Sequence, residues 1–237
     1  SLGHGYEGVR ILDRLDLEVK AGETMAIVGG SGEGKSVLLR LIAGLERPDS
    51  GFVEIDGIEV GDFVAITPDE KPFQMAMVFQ QSALLGSLSV ADNVTLRLRE
   101  HRTHSPAEID AICNQALRQV DMLDARDKLP SELSGGMKKR VAIARALAVD
   151  PEVVLYDEPT AELDPLLTAQ ISSLIDAIQR DKGITQILVT HNLGLAFDVA
   201  DRIALLRGGR IVEMGTPEEI RASSDPGTRD FVKAAEF

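Results

Sequence analysis

Gly29-Gly30-Ser31-Gly32-Glu33-Gly34-Lys35-Ser36 is the stretch on which the fold turns. It matches G-x-x-x-x-G-K-[ST], a phosphate-binding pattern that requires a strand before it and a helix after it. The flanking residues supply both: residues 24–28 form a short apolar run, and residues 35–43 carry apolar side chains at helical spacing. Glycines let backbone N–H groups converge on phosphate oxygens without Cβ obstruction, and the helix N-terminus adds partial positive charge. Lys35 would contact the β- and γ-phosphates, and Ser36 would ligate Mg²⁺ through its hydroxyl. Glu33 is unwelcome beside a phosphate and is expected to point outward. The six-residue dinucleotide pattern G-x-G-x-x-G does not occur in this loop.

Working outward, strand-like and helix-like segments alternate. Residues 11–19 alternate apolar and polar, as a half-buried strand does. Residues 51–55 read as a strand closed by an Asp56-Gly57 turn, and 75–79 as another strand. Ser105-Pro106-Ala107-Glu108 is a capping box with Pro at the first helical position, followed by the stripe Ile109, Ile112, Ala116, Leu117, Val120. A second helix is expected from Ser134 through Ala148, ended by Asp150-Pro151. Residues 153–156 and 187–190 are buried-strand candidates. Gly208-Gly209 marks a hairpin between 203–206 and 210–214, and Thr216-Pro217-Glu218-Glu219 opens a last helix. The α/β core is expected over 1–85 and 151–222, with a helical insertion over 86–150 and a tail over 223–237.

Composition narrows the function classes. The chain of 237 residues is 44% apolar and 27% charged, which suits a globular protein with a substantial core. Its net charge of −13 disfavours nucleic acid and anionic lipid as partners. No apolar run approaches the ~18 residues that span a bilayer, so a membrane role is expected to come through a partner. No signal peptide is visible, and a chain opening at Ser1 is expected to lack an N-terminal piece. Cys113 is the only cysteine and reads as an inert buried thiol. His4, His101 and His104 form no metal-like constellation and are expected at the surface.

Two further stretches carry chemistry. Val153-Val154-Leu155-Tyr156-Asp157-Glu158 is an apolar run ending in two acids. Such a strand sets its acids beside the phosphate loop of a parallel sheet, where Asp157 would hold Mg²⁺ and Glu158 would polarise the attacking water. Leu133-Ser134-Gly135-Gly136 precedes a helix and offers an N-cap and exposed amides, a second anion nest.

These pieces, in this order, resemble the nucleotide-binding domains of ABC ATPases, and the resemblance covers nearly the whole chain. Val78-Phe79-Gln80 looks like the Q-loop, Leu163-Asp164 like the D-loop, and Val189-Thr190-His191 like the switch histidine. The resemblance implies an α/β P-loop NTPase core of RecA type, with an antiparallel β subdomain and an inserted α-helical subdomain. It implies ATP and Mg²⁺, held by Gly29, Ser31, Gly32, Gly34, Lys35, Ser36 and Val37. It also implies a head-to-tail homodimer in which Ser134, Gly135, Gly136 and Asp164 of one copy face the nucleotide of the other. Gln80 would touch Mg²⁺ and the attacking water, His191 would hold the γ-phosphate and orient Glu158, and Tyr6 would stack on adenine. Membrane-embedded permease subunits would be the partners, placing the chain at the cytoplasmic face of a bacterial inner membrane.

Met137 after the Ser-Gly-Gly segment, Val37 in the loop helix and the tail Asp225-Pro226-Gly227-Thr228-Arg229-Asp230-Phe231 are similar to the ATPases of Mla and Mce lipid transport systems. That branch implies phospholipid transport, an MCE-domain protein and a small regulatory subunit as further partners. Otherwise the expectation is an importer of another small solute or a soluble ABC ATPase. Two departures stand out. Glu162 occupies a D-loop position where Gly or a small residue is usual, and the family's first strand, upstream of Tyr6, is expected to be absent.

Overall fold

The computed structural model describes residues 1–61, 73–101 and 104–235. The chain opens with an antiparallel pair, β1 (Leu2–Tyr6) and β2 (Val9–Leu15). This corrects the expectation that the strand before Tyr6 is missing. Glu7 (φ 51°) and Gly8 (φ 81°) both adopt left-handed backbone, the two-residue reversal whose twist matches paired strands. The ladder runs to Leu15, which pairs with Leu2, and ends earlier than the alternation suggests; left-handed Arg14 (φ 50°) sits at a register shift inside it.

Strand β3 (Thr24–Val28) leads through the glycine loop into helix α1 (Lys35–Ile42). A minimal hairpin follows, β4 (Glu54–Ile55) with β5 (Ile58–Glu59), turning on Asp56 (φ 51°) and Gly57 (φ 78°). The Asp-Gly turn is therefore where it was expected, but only two residues of the 51–55 run enter the ladder. After β6 (Met75–Val78) come three helices that pack on one another: α2 (Val90–His101), α3 (Pro106–Gln119) and α4 (Gly135–Leu147). The α3 capping box forms as read. The Ser105 hydroxyl accepts from the Glu108 N–H at 3.4 Å, and the Glu108 carboxylate accepts from the Ser105 N–H at 2.7 Å. Such a cap contributes about 1 kcal/mol.

The second half alternates β7 (Val153–Asp157), α5 (Pro165–Lys182), β8 (Thr185–Thr190), α6 (Leu193–Val199), β9 (Arg202–Arg207), β10 (Arg210–Gly215), α7 (Pro217–Arg221) and α8 (Pro226–Ala235). The main sheet has the order β10-β9-β3-β8-β7-β6, parallel except for β10. The central strands β3, β7, β8 and β9 are covered on both faces, which is why they read as largely apolar runs, while the edge strand β10 alternates exposed and half-buried residues. Ala26, Val28, Val154, Tyr156 and Leu188 face the side of α2–α6, while Met25, Ile27, Leu155, Ile187 and Val189 face α1 and the β1–β2 hairpin. Each fully buried side chain of this size stabilises the fold by roughly 1.5–3 kcal/mol.

Cys113 is buried as expected, and burial pushes its thiol up. His4 is a correction: it is 8% exposed, enclosed by Tyr6, Glu46 and Asp49, because β1 lies under the loop after α1. His104 is exposed, and the His101 side chain lies outside the described residues. Among the described residues no helix is long and apolar enough to cross a membrane.

Candidate functional site

Parallel register gathers the site. Val28 pairs with Thr190, and Asp157 pairs with Val189, so β3, β7 and β8 end on one edge of the sheet. The glycine loop, the two acids and His191 therefore leave the sheet side by side, at the edge where open α/β sheets bind ligands. Beside them lies a cavity of about 560 Å³ lined by Tyr6, Ser31, Gly32, Lys35, Ser36, Gln80, Glu158 and His191, with Ile11, Gly34 and Val37 completing the wall; Gly29 and Asp157 stand behind the lining.

The loop is shaped by Gly34. Its φ of 95° suits glycine alone, and a Cβ there would stand 2.9 Å from the Ile11 and Leu12 side chains of β2. The following lysine is 7% exposed. Its Nζ donates to the Gly29 carbonyl at 3.0 Å and the Gly30 carbonyl at 2.8 Å, and lies 3.9 Å from Glu158 Oε1. Burial pulls the Lys35 ammonium below its ordinary pKa, and the nearby Glu158 and Asp157 carboxylates oppose that shift. Glu33 does turn away from the cavity: its Oε2 accepts from the Gly208 N–H at 2.5 Å and holds the β9–β10 turn.

Ser36 donates its hydroxyl to Asp157 Oδ1 at 2.8 Å. Burial raises the Asp157 carboxyl above its usual range, partly offset by that hydrogen bond and reinforced by the charge of Glu158. A hydroxyl and a carboxylate oxygen at this separation form an all-oxygen donor pair, which fits a hard cation such as Mg²⁺.

Glu158 takes a left-handed backbone at φ 47°, at a cost of roughly 1–2 kcal/mol. The Glu158 N–H donates to the Val189 carbonyl at 3.0 Å, tying the turn to β8. The carboxylate is 11% exposed and accepts from the Thr190 hydroxyl (3.1 Å) and the His191 N–H (3.1 Å), with His191 Nδ1 at 3.0 Å. A carboxylate only accepts, so Nδ1 carries the proton and Nε2 is left to face the cavity from a side chain that is 65% exposed.

Tyr6 stands 42% exposed at the cavity wall. Its hydroxyl is bonded to Glu46 Oε2, Arg40 donates to Glu46 Oε1 at 2.6 Å, and the His4 ring meets Tyr6 edge-on at 5.0 Å. These anchors, and Thr190 as a partner of Glu158, were not found from the sequence. Thr190 sits inside a quoted motif, whereas Glu46 and Arg40 gave no local signal.

Ser134, Gly135, Gly136 and Asp164 do not line the cavity. Ser134 caps α4 by accepting from the Met137 N–H at 3.3 Å, and Asp164 caps α5 by accepting from the Leu167 N–H at 2.9 Å. Glu162 has φ 66°, a conformation that explains why glycine is the easier residue there.

A family model described as "ABC transporter" matches residues 12–161. A methionine import ATP-binding protein, MetN, of Caulobacter vibrioides is 42% identical over 95% of this chain and 68% of its own length. A probable ribonucleotide transport ATP-binding protein, mkl, of Mycobacterium tuberculosis is 38% identical over 98% of this chain. The chain spans 64% of the length of that mycobacterial relative. Among solved structures, the ATP-binding cassette MJ0796, a dimer in a post-hydrolysis state bound to ADP and Pi, superposes with a TM-score of 0.81 at 31% identity, covering 91% of this chain and 96% of that one. The structure of cbiO1 from Clostridium perfringens, part of the transporter complex cbiONQ, gives 0.82 at 31% identity over 94% of this chain and 88% of that one.

Proposed function

Because the chain belongs to the ABC transporter family as an ATP-binding subunit, we propose that it hydrolyses MgATP at the Lys35–Glu158 cavity to drive solute uptake through membrane-embedded permease subunits. One observation carries the reading: a single sheet edge holds the phosphate loop, the Ser36–Asp157 oxygen pair and the Glu158–His191 pair.

Each residue then has a task. Lys35, now bonded to carbonyls of its own loop, transfers its hydrogen bonds to the β- and γ-phosphates. Backbone N–H groups of Ser31, Gly32 and Gly34 complete the anion cradle with the N-terminus of α1. Ser36 and Asp157 hold Mg²⁺, which supplies charge neutralisation on phosphate oxygens when bound. Glu158, fixed by Thr190 and His191, draws the proton from the attacking water, and Gln80 orients that water. His191 meets the γ-phosphate through Nε2.

Tyr6 stacks on adenine. Tyr6→Ala is expected to weaken ATP binding by about 1–3 kcal/mol, roughly fivefold to a hundredfold, while Tyr6→Phe stays near the parent. Equal affinities for all three in a nucleotide titration would remove Tyr6 from the site.

The dimeric MJ0796 cassette supports a second copy whose Ser134-Gly135-Gly136 nest closes the cavity, with Asp164 near the junction. In this reading the helices between residues 86 and 150 carry the nest between the two sites. A peripheral position at the cytoplasmic face of the membrane follows from permease binding.

As to cargo, the relatives named for methionine import favour a small-solute importer over the lipid branch. The lipid reading, with its MCE-domain protein and regulatory subunit, rests on Met137, Val37 and the 225–231 tail alone. The chain and its co-purified permease, reconstituted in vesicles, are expected to accumulate methionine or a related solute on ATP addition. ATP-driven movement of labelled phospholipid without solute uptake would overturn the importer reading. Co-purification with ribosomes or DNA instead of a permease would overturn the transport reading altogether.

A further inference from the structure

Helix α4 carries a cation that the mechanism above leaves unused. Lys139 is 6% exposed. Its Nζ donates to the Gln80 backbone carbonyl and, at 3.4 Å, to the Glu158 backbone carbonyl. Among the described residues, then, the hydrogen bonds of this buried ammonium go to two carbonyls and not to a carboxylate. A buried cation is costly unless it is well bonded, so this placement points to a task.

We propose that Lys139 is a positioning residue for hydrolysis, a strut from α4 that fixes the Gln80 loop and the Glu158 turn at one separation. The proposal rests on the assignment of Glu158 as the base.

Both segments need such a hold. Glu158 sits in left-handed backbone, and the chain just past Gln80 does the same at Ser82 (φ 61°) and Ala83 (φ 45°). Non-glycine residues keep that conformation only where the surroundings hold it. Arg145 of α4 already grips the second segment, donating to the Ala83 carbonyl at 2.6 Å and the Ser82 carbonyl at 2.9 Å. Lys139 differs from Arg145 in reaching both segments at once. Burial pulls its pKa down, while Glu162 first, then Asp157 and Glu158, favour the charged form. Since α4 begins with Ser134-Gly135-Gly136, the same rigid helix ties the hydrolytic pair to the nest offered to a second copy.

The test compares Lys139→Met, which keeps the stem and removes the donors, with Lys139→Arg, which keeps charge and donors. In the full chain with its permease, Lys139→Met is expected to lower kcat about tenfold or more. The affinity for a fluorescent ATP analogue should stay within about threefold, and Lys139→Arg should recover most of the rate. In a Glu158→Gln background, Lys139→Met should cost little further, because the strut acts through Glu158. A kcat within twofold of the parent would overturn the proposal, as would an equal fractional loss in both backgrounds. If Lys139→Met fails to fold by circular dichroism, Lys139→Gln takes its place, and a folded Lys139→Arg with under a tenth of the parental rate counts against the strut. Normal turnover by Glu158→Gln alone would instead reject the base assignment.

Discussion

Glu158→Gln is expected to lower ATP turnover at least about a hundredfold and leave MgATP bound. The substitution keeps the side chain's size and removes its capacity to take a proton. A positioned general base contributes roughly 10²–10⁴-fold, so phosphate release should fall by at least that lower bound. Hydrogen-bond arithmetic adds to the effect. In the parent, the carboxylate accepts from Thr190, the His191 N–H and His191 Nδ1. A glutamine keeps one acceptor oxygen and gains an NH₂ donor. Where that donor meets Nδ1, the ring must move its proton to Nε2, so His191 presents a changed face to the cavity. Phosphate-release kinetics and nucleotide retention on a sizing column check both halves. A variant that turns over ATP at the parental rate would show that another group activates the water.

Lys35→Ala is expected to cost binding itself. The ammonium is placed to make charge-assisted bonds to two phosphate groups, each worth about 1.5–3 kcal/mol. Together they predict an affinity loss of roughly 10²–10⁴-fold. The unliganded fold should tolerate the change, because burial disfavours the Lys35 charge and its removal offsets the lost bonds to Gly29 and Gly30. Calorimetric titration with MgATP, alongside a melting curve, separates binding from folding. Unchanged affinity in a folded variant would end the phosphate-loop reading.

Much of the site was legible because its chemistry is local. The loop requires glycines, a lysine and a serine in consecutive positions, and the acids end an apolar strand. Helix starts were legible for the same reason: Ser105, Ser134 and Thr216 all accept the expected backbone N–H. Misreadings fell where a partner distant in sequence decides. His4 looked like a surface histidine until β1 was packed beneath Glu46 and Asp49. Leu2–Tyr6 holds two glycines and little strand propensity, so its pairing with β2 comes from the Glu7-Gly8 turn. Cargo was not legible, since an ATP-binding subunit has no need to touch the solute.

Taken alone, the order of residues determined the phosphate chemistry, the alternation of strands with helices and the membership of a family, each written in short windows. Tertiary structure decided which groups meet. Lys35, Gln80, Lys139, Glu158 and His191 lie on separate elements, and only the parallel register of β3, β7 and β8, with α4 laid against β6, brings them to one edge. Strand pairing across long loops depends on burial over the whole sheet, which no local stretch encodes.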